Sequence, residues 1–246
     1  MRYEIREMSF GEILATALEL LQNHFGLLVG LSLVTYAPLA LLGVGAAAAE
    51  LSGSSPFGVA AVLLSLVLTV LTIAVIAPIV SAAITYAVGK LYLGERVTLE
   101  AALRTASSML WPLVTTSFIS GMVILITFLI LIIPGVYFML SFLLLWQVMV
   151  LERVFGTAAL QRSHDLIKGF RMRAFGVIFT AALIVAVLQG IFQATLYFEP
   201  VLGSIASTAA LAVGNVYTAA VSVVLYFDVR HRKDGFDLDH LRRMLP

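Results

Sequence analysis

The sequence contains no cysteine, which excludes disulfides, a thiol nucleophile and any Cys-ligated zinc or iron–sulfur centre. Charge is scarce too: Asp, Glu, Lys and Arg make up 12% of the 246 residues, against about 25% in an ordinary soluble domain. Within the apolar spans delineated below charge is confined to the ends, Lys90 near the end of the second and Asp228 closing the last. Proton- or ion-coupled transporters keep an ionisable side chain at membrane depth despite its cost, so that chemistry is not expected. A cleavable secretory signal is not expected either, because the first 24 residues mix acids with bases and build no apolar run behind a basic end. Targeting then falls to the first membrane helix. What fills the chain is 61% hydrophobic residues, the composition of a polytopic membrane protein.

The spacing predicts an all-α single membrane domain over 1–246, with six spans at about 25–49, 57–93, 113–133, 136–151, 174–198 and 201–228 and a cytoplasmic tail at 229–246. Phe10, Ile13, Leu14, Ala17, Leu18 and Leu21 recur at three-and-four spacing, and Ser9 with Glu12 has the spacing of a capping box. An amphipathic interfacial helix over about 9–24 is expected, with two more at about 98–110 and 157–170. Pro38 should kink the first span and Pro78 should bend the second. Pro134-Gly135 is the expected turn between the third and fourth spans, and Glu199-Pro200 between the last two.

Glu152-Arg153-Val154, three residues, then Ala158-Ala159-Leu160 echoes Glu95-Arg96-Val97, three residues, then Ala101-Ala102-Leu103. An interfacial helix followed by a membrane hairpin is thus expected as a unit used three times. On the six-span reading all fifteen Lys and Arg fall on one face of the membrane. The positive-inside rule then makes that face, and both termini, cytoplasmic. The expected location is the cell (inner) membrane.

Arg162, Lys168, Arg171 and Arg173 form the densest basic patch, and each would gain about 1 kcal/mol beside an anionic leaflet. They are the candidate lipid-headgroup residues, although topogenesis alone also explains such charges. Gln147, Gln189, Gln193 and Asn215 are the amides near or within spans; they suit interhelical hydrogen bonds first, and the lining of a solute path second. Asp234, Asp237, Asp239 and His240 match no calcium-loop spacing, and no nucleophile elbow or phosphate loop is present. No catalytic residue, metal or cofactor is expected. Nucleic acid is not an expected partner, since the basic patch is small and lies against the membrane.

The stretches SFGEILATALELLQNHFG, IIPGVYFMLSFLLLWQVMVLERVFGTAALQRSHDLIKGFRMRAFG and LYFDVRHRKDGFDLD resemble the six-helix membrane domain that precedes some glycerophosphodiester phosphodiesterase barrels, together with the related YciC-type membrane proteins. The resemblance implies fold and location more than activity. A catalytic barrel is not expected, since these 246 residues leave no room for one, and His231-Arg232-Lys233 lacks the glycine of that enzyme's His-Arg-Gly hallmark. The expected function is a non-catalytic membrane scaffold or accessory subunit that contacts cytoplasmic-leaflet anionic lipids, a partner protein or further copies of itself. The alternative is a passive transporter or channel for a lipid-like or apolar solute.

Overall fold

The computed structural model describes residues 6–51, 66–194 and 199–235. Most of the connection expected between the first two spans, from 52 on, and the tail from 236, with Asp237, Asp239 and His240, lie outside the described residues. Among those described every regular element is a helix. Four helices are long and apolar enough to cross a membrane, Leu110–Ile130, Ile132–Glu152, Arg171–Ala194 and Val201–Asp234. A fifth candidate is the pair Phe10–Asn23 and Phe25–Pro38, bent by 88°.

Helix α1 (Phe10–Asn23) begins at Ser9, whose hydroxyl accepts from the Glu12 amide while the Glu12 carboxylate accepts from the Ser9 amide. Both orphan donors of the first turn are thereby satisfied, as the capping-box spacing predicts. The apolar stripe then buries Ile13, Ala17, Leu20 and Leu21. Hydrogen bonds from the Ser9 backbone and from Arg6 hold the Glu12 carboxyl at about 2, against an ordinary value of 4.5. Because the folded value is the lower one, this contact stabilises α1 fully above about pH 4.5 and is lost as pH falls through about 2. Hydrogen exchange followed through α1 should show its first turn loosening across that window, and not between pH 5 and 8.

The chain turns sharply at His24 and continues as α2 (Phe25–Leu51), which runs through Pro38. Helix α3 covers 66–92; its Thr72–Ile76 turn is π-wound and leads directly to Pro78. The irregularity expected at Pro78 is therefore this wider turn, which absorbs the amide that proline cannot supply. Helix α4 (Leu99–Ser108) is capped by the Thr98 hydroxyl, and α5 (Leu110–Ile130) follows at once.

The turn into α6 (Ile132–Glu152) differs from the sequence expectation. The extended residue is Leu131, at φ −154 and ψ 134, and Pro134 sits in the first turn of α6, where its missing N–H costs nothing. Gly135 is needed for another reason: its Cα packs against the Phe128 ring, leaving no room for a side chain. Helix α6 is interrupted at 142–144 and ends in a π-wound turn, Val148–Glu152. Helices α7 (Gly156–Ile167) and α8 (Arg171–Ala194) follow.

The centre of the molecule is α9 (Pro200–Asp234), 35 residues long and so about 52 Å. It packs on α1, α2, α3 and α8. Every residue from Val223 to Arg230 is buried, as expected of a helix surrounded on all sides. Ser32 of α2 donates to the Ala212 carbonyl at 2.9 Å, and Tyr92 of α3 stacks on Phe227 at 4.9 Å. Gly214 lies so close to Val185 of α8 that a Cβ would overlap it. The helix continues six residues past the predicted end of the last span, and left-handed Gly235 stops it.

Candidate functional site

The end of α9 carries the main difference from the sequence expectation, which puts charge only at the ends of spans and no farther in. Asp228 and Arg230 lie inside the candidate span Val201–Asp234 and are 2% and 5% exposed. A buried charge persists only where partners replace its hydration, and two clusters do so here.

In the first, Asp228 accepts from the Met8 amide at 2.8 Å, from Arg232 one turn later at 3.0 Å and from Arg173 of α8 at 3.3 Å. The Met8 carbonyl accepts in turn from Arg173 and Arg232, and Arg232 also reaches Glu7 at 2.8 Å. One carboxylate thus ties the segment before α1, the start of α8 and the end of α9 together. In the second, Glu152 accepts two hydrogen bonds from Arg162 at 2.8 and 3.2 Å, and a third from the Tyr226 hydroxyl at 2.7 Å. Arg230 donates to that hydroxyl at 2.7 Å and lies 3.7 Å from Glu152. Asp234 closes the ring by accepting from Arg162 at 2.8 Å. Burial disfavours the charged form of Arg162, but its bonds to Glu152 and Asp234 outweigh this and hold its proton more tightly than usual.

Of the four candidate headgroup residues, Arg162 and Arg173 are therefore turned inward to carboxylates. Lys168 is exposed. Arg171 stacks over the Tyr137 ring at 4.4 Å, donates to the Tyr137 and Ser141 hydroxyls, and touches the His164 ring, all without a carboxylate. Arg96, Arg104 and Arg153 are exposed as well, and among the described residues none of the three has an acidic partner.

The four amides divide. Gln147 and Asn215 come together in a cleft of about 240 Å³ between α3, α6 and α9. Gln189 and Gln193 lie away from it on α8, Gln193 exposed and Gln189 half-buried. A larger groove of about 560 Å³ runs between α1, α8 and α9; Leu18, Leu188, Phe192 and Ala210 are among its walls, which are almost wholly apolar. Among the described residues no group of His, Asp and Glu could hold a metal ion.

A family model described as a domain of unknown function, DUF8558, matches residues 101–230. The chain belongs to the DUF8558 family. No curated protein and no solved structure matches it. The DUF8558 region contains Glu152, Arg162, Arg173, Tyr226, Asp228 and Arg230 together with both cleft amides. The family match therefore spans most of the Glu152 cluster and two members of the other, Arg173 and Asp228, while Glu7, Met8, Arg232 and Asp234 lie outside it. A sequence signal for these clusters existed. Tyr226, Arg230 and Asp234 form one i,i+4 ladder and Asp228 with Arg232 another, on a stretch with helical periodicity.

Proposed function

We propose that this DUF8558 protein is a non-catalytic six-span integral membrane protein of the cell membrane, with both termini cytoplasmic, acting as a scaffold on the anionic cytoplasmic leaflet. The observation that carries this reading is the pair of ionic clusters. They brace the N-terminal segment, α6, α7, α8 and α9 into one platform at the end of the molecule where the polar connections gather. Inward pairing of Arg162 and Arg173 leaves Arg96, Arg104, Arg153, Lys168 and Arg171 to meet lipid phosphates, each worth about 1 kcal/mol beside an anionic surface. Helices α4 and α7 lie in this plane as interfacial helices, whereas α1 starts from it at Met8 and runs along α9, Leu18 sharing a groove with Ala210. The echoed glutamates Glu95 and Glu152 play matching parts, each neutralising a buried base, Lys90 at 2.8 Å and Arg230 at 3.7 Å.

A second reading, a passive carrier of a lipid-like solute, is favoured by the apolar groove between α1, α8 and α9. Native mass spectrometry of protein released from mixed-lipid nanodiscs separates the two. Scaffolding predicts retained anionic lipid whose affinity falls about 30-fold in Lys168→Gln/Arg171→Gln, as expected for about 2 kcal/mol of lost attraction. Retained neutral lipid that is lost only when Ala210→Phe fills the groove would favour the carrier and count against the scaffold.

A further inference from the structure

The cleft between α3, α6 and α9 holds an unmet chemical demand. Gln147 is 4% exposed and its side-chain oxygen has no hydrogen-bond partner, a costly state for a buried acceptor unless something fills the space. Its surroundings are polar: Ser81 and Thr85 from α3, and Asn215, Thr218 and Ser222 from α9. The hydroxyl protons of three of these are already committed. Thr85 donates to the Ser81 carbonyl at 2.8 Å, Thr218 to Gly214 at 2.9 Å and Ser222 to Thr218 at 2.9 Å. What those hydroxyls turn to the cleft is lone pairs, and the Gln147 oxygen adds another acceptor.

The depth of the cleft follows from the helices that form it. Tyr92 is level with Phe227, and Glu152 with Tyr226. Counting back along each helix puts Gln147 and Ser222 about 7 Å, and Ser81 and Asn215 about 17 Å, from the ionic clusters. The polar wall therefore penetrates about halfway through a hydrocarbon layer of about 30 Å. None of the residues lining it is charged.

We propose that this cleft binds a small uncharged solute bearing N–H or O–H donors, such as a primary amide, and that Gln147 is its principal acceptor. Acceptors without counter-charge at this depth match a neutral donor, whereas a cation would lose its hydration with no anion to replace it. The volume of about 240 Å³ suits a solute of a few heavy atoms. This inference is independent of the scaffold reading, since it uses neither the exposed bases nor the lipid.

The protein carries its own reporter, because Trp146 lines the cleft and Trp111, the only other tryptophan, is 76% exposed. In Trp111→Phe protein in nanodiscs, acrylamide, a neutral primary amide that quenches indole, should quench Trp146 with a static component that excess acetamide suppresses. Gln147→Leu and Asn215→Leu, each checked for unchanged elution and emission maximum, should abolish the acetamide-sensitive part. The proposal is overturned if that part survives Gln147→Leu, if potassium chloride protects in place of acetamide, or if brominated phospholipid quenches Trp146 while acrylamide does not. The last two results would mean a cation site and an acyl-chain groove respectively.

Discussion

Asp228→Ala is expected to destabilise the protein by about 3–5 kcal/mol, the range for removing one partner of a buried ion pair. The carboxylate is fully enclosed. Its loss would leave Arg173 and Arg232 facing each other across the Met8 carbonyl and would strip the Met8 amide of its acceptor. The N-terminal segment would then detach from α9, so thermal unfolding in detergent should move to lower temperature and proteolysis should begin before α1. Asp228→Asn keeps the shape and an acceptor for the Met8 amide and should recover part of the loss. Arg232→Gln, whose side chain is 18% exposed and partly solvated, should cost less than either.

The second large effect is at Glu152. Glu152→Gln removes the negative charge that faces Arg162 and Arg230 and weakens the acceptor of Tyr226. Arg162 keeps Asp234 and reaches water, its side chain being 31% exposed, but Arg230 is 6% exposed and loses its nearest countercharge. A cost of about 3–5 kcal/mol is expected again. The double variant Glu152→Leu/Arg230→Met should restore most of this, because an apolar pair of similar volume avoids the desolvation that both charges incur. A double-mutant cycle on unfolding temperature measures the coupling directly. A double variant as unstable as Glu152→Gln alone would show that the cluster does more than neutralise itself.

The helical class, the spans α5, α6, α8 and α9 and the first cap are legible in the sequence because each is a local property. A run of apolar residues, or Ser9 three places before Glu12, specifies its own conformation without distant help. What escaped depended on distant partners. Pro134-Gly135 reads as a turn in isolation, yet the break lies at Leu131, since proline fits the first turn of α6 and the glycine makes room for Phe128. By sequence the last span ends at Asp228, since a carboxylate ordinarily marks the water boundary. Here Met8, some 220 residues away, helps to replace that water. Arg162 and Arg173 read as free bases for the same reason, their carboxylates lying on other helices. The four amides were visible as a set, but only helix packing selects Gln147 and Asn215 as neighbours.

The central claim is that the cationic connections share one side of the membrane, opposite the turn at Glu199. With no native cysteine in the chain, single thiols at Lys168 and Glu199 can be probed in intact cells with a membrane-impermeant maleimide. The account predicts that the thiol at 199 is labelled and the thiol at 168 is labelled only after permeabilisation; equal labelling of both in intact cells would contradict it.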